Sequence, residues 1–280
     1  MQIIRSIKSL RQLVSQWRQA GESVGFVPTM GNLHQGHLSL VHEAKKTNDR
    51  VVVSIFVNPI QFGEGEDFAD YPRTELEDQK KLQHGQADAL FLPSPEEIYF
   101  RDASTTISVN DLSDKHCGAT REGHFSGVAT VVCKLLNITQ PDMAFFGKKD
   151  FQLLAVIRRM VRDLNIPVKI KGLPTVREAD GLAMSSRNGY LTAEQRVQAT
   201  TLFKTLQNAK DAVLAGREYT EIEQQQIQNL RQVGFEPEYF SICRSDDLQP
   251  AKQSDTNLVI LTAANLGKTR LIDNLDFIKA

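Results

Sequence analysis

Two histidines spaced three apart, His34 and His37, follow a glycine turn in the stretch GFVPTMGNLHQGH that runs from Gly25 to His37. The apolar residues before it read as a strand and the residues after it as a helix. A strand, a tight glycine turn and a helix start aim free backbone N–H groups at an anion. An imidazole beside that anion can donate to a phosphoryl oxygen whose charge is growing. The chemistry this spacing suggests is phosphoryl or nucleotidyl transfer. A histidine pair at a helix start serves equally as a cap, and on the turn alone both readings stand. A zinc reading of His34, His37 and His42 is weaker still, because no cysteine lies near and no glutamate stands between the histidines as HExxH needs.

Further polar clusters recur after apolar runs. Asn58 and Gln61 follow the run Val51–Val57, where they would either hydrogen-bond a small polar ligand or stabilise an Asn-Pro turn. Gly118 to Gly127, GATREGHFSG, brings three glycines together with Arg121 and His124. Gly147, Lys148, Lys149 and Asp150 close one run and open a helix, and a lysine there is a compact partner for phosphate. Ser185, Ser186 and Arg187 lie in a polar, glycine-bearing stretch, as a polyphosphate grip or as a plain helix start. Two decoys fail. GEGEDF lacks the third glycine and the helix of a dinucleotide fingerprint, and TAANLGKT has Thr262 where a P-loop needs glycine.

The elements that must position these groups follow from periodicity. Continuous apolar runs at Val51–Val57, Ala89–Leu92, Met143–Phe146 and Val168–Leu173 read as strands buried on both faces. Helical patterns at about Arg73–Gln83, Val128–Ile138 and Phe151–Leu164 alternate with them. Alternation of this kind implies a parallel sheet covered by helices, with ligands bound at the carboxyl ends of its strands. The amphipathic N-terminus reads as an edge strand and a surface helix, with neither a signal peptide nor a spanning run. Beyond Pro174 the pattern changes to helices at Ala193–Ala215 and Glu221–Val233. Strands near Tyr239–Arg244, Leu258–Ala263 and Arg270–Asp273 then close a smaller α+β part.

Composition narrows the partners. In 280 residues, 33 Lys and Arg nearly cancel 34 Asp and Glu, which argues against nucleic acid and against an anionic membrane surface. Cys117, Cys133 and Cys243 are far apart and odd in number, as reduced thiols of a cytoplasmic protein are.

Taken together, PTMGNLHQGH, VVSIFVNPIQF, DYPRT, REGHFSGVATVV, PDMAFFGKKDFQ, TVREADGLAMSSRNGYL and LGKTRLIDN resemble the pantothenate synthetase (pantoate–β-alanine ligase) family from about Val27 to Asn274. His34-x-x-His37 with Met184-Ser185-Ser186-Arg187 also resembles the paired signatures of the wider nucleotidyl-transferase superfamily. The resemblance implies an α/β chain, with a Rossmann-like domain over 1–174 and a smaller α+β lid domain over 175–280. It implies an ATP- and Mg²⁺-dependent ligase joining pantoate to β-alanine through pantoyl adenylate, in a cytoplasmic homodimer. Met30, Gly31, Asn32, Leu33, His34, Gln35, Gly36 and His37 match the family's ATP-contacting positions. So do Gly147, Lys148, Lys149, Asp150, Val176, Met184, Ser185, Ser186 and Arg187. His34, His37, Lys149 and Arg187 carry the catalytic roles, and Gln61 lies between pantoate and β-alanine. No protein side chain is assigned to the metal, which rides on the ATP phosphates; Glu77 and Asp78 are candidate outer partners or, equally, ordinary helix surface.

The chain departs from the family pattern at three places. Glu122 stands where proline is usual and Lys148 where glutamate is, both read as surface changes. Leu153 replaces the glutamine that the family uses on pantoate. Gln152 is no simple substitute, since one helical residue turns a side chain by about 100°. Weaker pantoate binding, or a water in the gap, is the expectation.

Overall fold

The structure, a computed structural model, describes residues 1–279. Its elements run β1 (Gln2–Ile4), α1 (Ile7–Gln19), β2 (Val24–Thr29), α2 (Gln35–Thr47), β3 (Arg50–Ile55), α3 (Glu75–His84) and β4 (Ala89–Phe91). Two one-turn helices, α4 (Pro95–Ile98) and α5 (Cys117–Thr120), precede α6 (His124–Thr139), β5 (Met143–Gly147), α7 (Phe151–Asp163) and β6 (Lys169–Leu173). Then come α8 (Ala193–Gln198), α9 (Thr201–Leu214), α10 (Tyr219–Gln232), β7 (Glu236–Arg244), β8 (Asn257–Leu266) and β9 (Thr269–Ile278). Short 3₁₀ turns lie at Pro59–Gln61, Lys148–Asp150 and Ser186–Tyr190.

The chain forms two compact units. One contains Met1–Lys148 and Val156–Pro174; the other contains Lys149–Ala155 and the chain from Thr175 onward. The start of α7 therefore belongs to the second unit and its remainder to the first.

The first unit is built on a six-stranded sheet in the order β1-β4-β3-β2-β5-β6, parallel throughout. Its central strands are buried on both faces, which is why β3 shows no alternation of polar and apolar residues. Val27, Val51, Val53, Leu90 and Phe145 pack with Leu40, Val41 and Ala44 of α2 and Leu82 of α3. At the sheet's edge, β1 leads into α1, where the Ser6 side chain caps the first turn and Leu10, Leu13, Val14 and Trp17 form the buried stripe. The chain leaves β2 towards β3 on one side, while β5 lies against β2 on the other (Phe26 beside Ala144). That reversal of strand order is the position at which parallel α/β sheets bind ligands.

The second unit packs α9 and α10 on an antiparallel sheet of order β7-β8-β9. Leu202, Leu206 and Ala209 of α9, with Ile222 and Leu230 of α10, meet Ile242, Leu258 and Ile260 of the sheet. The helix expected over Ala193–Ala215 is divided in two. The Thr200 hydroxyl donates to the Val197 carbonyl, a 3₁₀ bond joins Leu202 N–H to Ala199, and the axis restarts at Thr201. The TAANLGKT stretch forms the β8–β9 hairpin, in which Leu266 pairs with Thr269 and Gly267 takes φ +59°. No helix of the described residues is long and apolar enough to cross a membrane.

Candidate active site

The loop from β2 to α2 carries the first cluster. Two successive left-handed residues, Gly31 (φ 85°) and Asn32 (φ 48°), turn the chain sharply. The buried carboxylate of Asp78 on α3 holds the turn, accepting from Asn32 N–H and Leu33 N–H at 2.8 Å each and from the Thr74 hydroxyl at 3.1 Å. Lys81 donates to the Leu33 carbonyl at 2.7 Å. Asp78 thus acts on backbone N–H groups. That anchoring satisfies donors that would otherwise be orphaned.

His34 is the N-cap of α2, in extended backbone, rather than a residue of its first turn. Its Nδ1 accepts from Gly36 N–H at 3.1 Å, and the Nδ1 of His37 accepts from His34 N–H at 3.3 Å. The two rings close a reciprocal capping box, with ring centroids 4.1 Å apart. Nδ1 is an acceptor in both rings, so each neutral imidazole carries its proton on Nε2. Capping thus occupies one nitrogen of each ring. Gln35 and Gly36 open the helix between them.

A second cluster in the same unit surrounds Gln61. Tyr99 OH donates to Asn58 Oδ1 at 2.8 Å; Asn58 Nδ2 donates to Gln61 Oε1 at 3.1 Å and to the Gly127 carbonyl at 3.2 Å; and Gln61 Nε2 reaches Met30 Sδ at 2.8 Å. Burial raises the Tyr99 phenol above its ordinary 10.0, despite the bond to Asn58. The phenol therefore stays a neutral donor. The backbone of Gln61 is held from the other side. His124 Nδ1 donates to the Gln61 carbonyl at 2.7 Å, because Arg121, which only donates, occupies Nε2 at 2.9 Å. Arg121 in turn forms a bidentate pair with Glu66, both bonds at 2.6 Å. Burial works against the Glu66 carboxylate, yet the Arg121 pair leaves it below its ordinary 4.5.

Gly127 lets α6 approach this turn. A Cβ there would lie 2.4 Å from the Ile60 carbonyl oxygen and 2.8 Å from Gln61 Cα. The GATREGHFSG loop and the rejected GEGEDF stretch thus form a brace for Gln61. The pattern of residue types shows that both loops are polar, but not that they pair.

In the second unit, Val176–Met184 is a hairpin arm: Met184 N–H donates to the Val176 carbonyl, and Arg177 bridges to Ala183. Ser185 caps the following 3₁₀ turn, its Oγ accepting from Arg187 N–H at 3.3 Å, so the serine pair does begin a helical turn, with Ser186 its first residue. Arg177 anchors the arm. Its guanidinium lies 3.6 Å from the Phe203 ring centroid and pairs with buried Asp273 at 2.6 and 3.0 Å. Lys149 is half-buried on its 3₁₀ turn between Lys148 and Asp150, and its carbonyl accepts from Asn274 Nδ2 at 2.7 Å. Gly147 ends β5 in the first unit. Gln152 is buried and Leu153 half-buried, so the two face differently, as their one-residue offset requires.

Among the described residues, no group of three His, Cys, Asp or Glu side chains is arranged to hold a metal ion, and all three cysteines are buried and unpaired by disulfides.

Residues 2–276 match the family model described as pantoate-beta-alanine ligase. The pantothenate synthetase of Shewanella loihica is 53% identical over the full length of both chains. The crystal structure of pantothenate synthetase from Thermus thermophilus matches with TM-score 0.93 at 43% identity, covering 99% of each chain. The pantoate-beta-alanine ligase of Francisella tularensis, solved with beta-gamma ATP and beta-alanine, matches with TM-score 0.84 at 35% identity, covering all of this chain and 98% of that one.

Proposed function

The chain belongs to the pantoate–β-alanine ligase family, and from that premise we propose that it joins pantoate to β-alanine with ATP, through pantoyl adenylate. The observation that supports the reading is the capping box beside a helix N-terminus, which occupies Nδ1 of both His34 and His37 and so leaves the proton of each neutral ring on Nε2.

In the first step the pantoate carboxylate attacks the α-phosphorus of ATP, the bond to the β-phosphate oxygen breaks, and pyrophosphate leaves. In the second, the amine of β-alanine attacks the acyl carbon, loses a proton and displaces AMP. A carboxylate meeting a triphosphate is repelled, so the protein contributes mainly position and charge stabilisation. His34 and His37 donate to phosphate oxygens, with His37 as the principal donor, and the N–H groups from Met30 to His37 cradle the anion. Lys149 offsets phosphate charge as a point cation, and Ser185, Ser186 and Arg187 grip the polyphosphate. Val176, Met184, Gly147, Lys148 and Asp150 complete the nucleotide contacts. Gln61 orients pantoate and β-alanine, held by Asn58 on one side and His124 on the other. No side chain of this chain is assigned to Mg²⁺, which, carried on the ATP phosphates, would supply charge neutralisation there. The part beyond Thr175 serves as the lid. The family resemblance supports a cytoplasmic homodimer, which sedimentation velocity tests.

The test is AMP and pyrophosphate release from Mg-ATP. AMP should appear with pantothenate only when pantoate and β-alanine are both present. Pyrophosphate without AMP in the full mixture would overturn the ligase reading in favour of an adenylating enzyme that uses another amine. The Leu153 substitution carries its own expectation: Leu153→Gln should lower the pantoate KM by about tenfold, since a hydrogen bond to a charged ligand contributes about 1.5–3 kcal/mol. An unchanged KM would show that the position is silent here.

A further inference from the structure

The proposed mechanism uses Lys149 but leaves one matched stretch, the Ile272-Asp273-Asn274 segment of β9, without a task. Asp273 and Asn274 are polar residues, 3% and 4% exposed, in the middle of a strand that pairs along its whole length with β8. Buried polar side chains in a strand are costly unless each finds partners. Here both do, and both partners belong to candidate nucleotide segments. Asp273 takes the Arg177 guanidinium through two hydrogen bonds, and Arg177 also donates to the carbonyls of Gly181 and Asn274. Asn274 turns its carboxamide the other way and donates from Nδ2 to the Lys149 carbonyl at 2.7 Å. The amide's orientation is fixed by chemistry, because a carbonyl only accepts.

Resting on the proposed role of Lys149, we infer that Asn274 is a positioning residue that sets where the Lys149 ammonium lies. A lysine head sits on a flexible four-carbon stem, so its reach is defined only as well as the backbone that bears it. Lys149 lies on a short 3₁₀ turn before α7, and a single turn of that kind has little rigidity of its own. The Asn274 carboxamide fastens that turn to β9, and the neighbouring Asp273 fastens the Val176–Met184 arm to the same strand. One strand therefore registers the lysine against the arm that leads into Ser185, Ser186 and Arg187. A misplacement of about 1 Å at a group of this kind costs on the order of 10²-fold in rate.

The experiment measures pyrophosphate release by wild type, Lys149→Ala, Asn274→Ala and the double variant, at saturating pantoate and β-alanine, with thermal unfolding recorded for each. Asn274→Ala should lower kcat by about tenfold or more with ATP KM changed less than about threefold, since the loss falls on transition-state stabilisation. In the Lys149→Ala background the same change should cost less than about twofold, because a residue acting through Lys149 has nothing left to position. Should Asn274→Ala fail to fold, Asn274→Ser, which keeps a shorter donor, carries the same cycle. A kcat within twofold of wild type, or a loss that multiplies fully on Lys149→Ala, overturns the inference and leaves Asn274 a structural residue. Wild type that releases no product instead overturns the functional reading, and Lys149→Ala that keeps full rate overturns the role of Lys149 on which the inference rests.

Discussion

Each unit carries one buried carboxylate that holds a candidate nucleotide segment, and the two do so by different means. Asp78 in the first unit takes hydrogen bonds from two backbone N–H groups and a hydroxyl, with the Lys81 ammonium farther off at 4.0 Å, and so fixes the loop at Asn32 and Leu33 directly. Asp273 in the second unit binds a guanidinium, and so fixes the Val176–Met184 arm through the long side chain of Arg177. The first arrangement holds backbone within one hydrogen bond of the carboxylate. The second adds a rotatable side chain but gains charge and the face of Phe203. A neutral anchor is therefore lost piecemeal, whereas an ionic one fails all at once.

The largest expected effect tests that contrast. Asp273→Ala strands a mostly buried guanidinium and should cost about 3–5 kcal/mol of stability by chemical denaturation; a loss below about 1 kcal/mol would show that Phe203 and the carbonyls suffice. Next comes His37→Ala, expected to lower turnover by about 10²–10³ while ATP affinity falls far less, as removal of a transition-state donor does. Equal losses in both would make the histidine a binding group and a cap only. Asp78→Asn keeps one acceptor and places an N–H donor against another, for about 1–3 kcal/mol, and should raise the ATP KM as the Gly31–Leu33 turn loosens. If it matches Asp273→Ala in cost, the neutral and ionic anchors do not differ as argued.

The smallest effect concerns Glu66, whose carboxyl is held below its ordinary 4.5 by Arg121 against the opposing effect of burial. A depressed folded value means that this stabilisation is present above the unfolded value and is lost as pH falls through the folded one. Glu66→Gln should therefore be less stable than wild type at neutral pH by about 1 kcal/mol or less, after allowance for solvent screening. The difference should shrink on acidification below the ordinary carboxylate value. A gap that persists in acid would assign the effect to packing rather than to the ion pair.

Much of this architecture is legible in the residues. The parallel sheet follows from unbroken apolar runs such as Val51–Val53, since only a strand covered on both faces tolerates them. The helix over Ala193–Ala215 reads as continuous because its apolar period survives the break, which lies in a local 3₁₀ bond from Leu202 N–H to Ala199 that no period reports. Around the histidines, spacing locates the pair but not the division of labour between Nδ1 and Nε2, which depends on His34 lying outside the helix. The Glu66–Arg121–His124 brace is illegible for a simpler reason. Its members come from loops 55 positions apart in the chain, and no local period reports a contact of that range.

Gly127 also bears on how this enzyme could be redesigned. Its hydrogen is the only side chain that the Ile60 carbonyl leaves room for, so the wall behind Gln61 has a fixed thickness. A library aimed at the Gln61 turn would gain nothing by varying that helix position, because every replacement first displaces the backbone of Ile60 and Gln61. Gly127 is a dimension of the scaffold and not a variable.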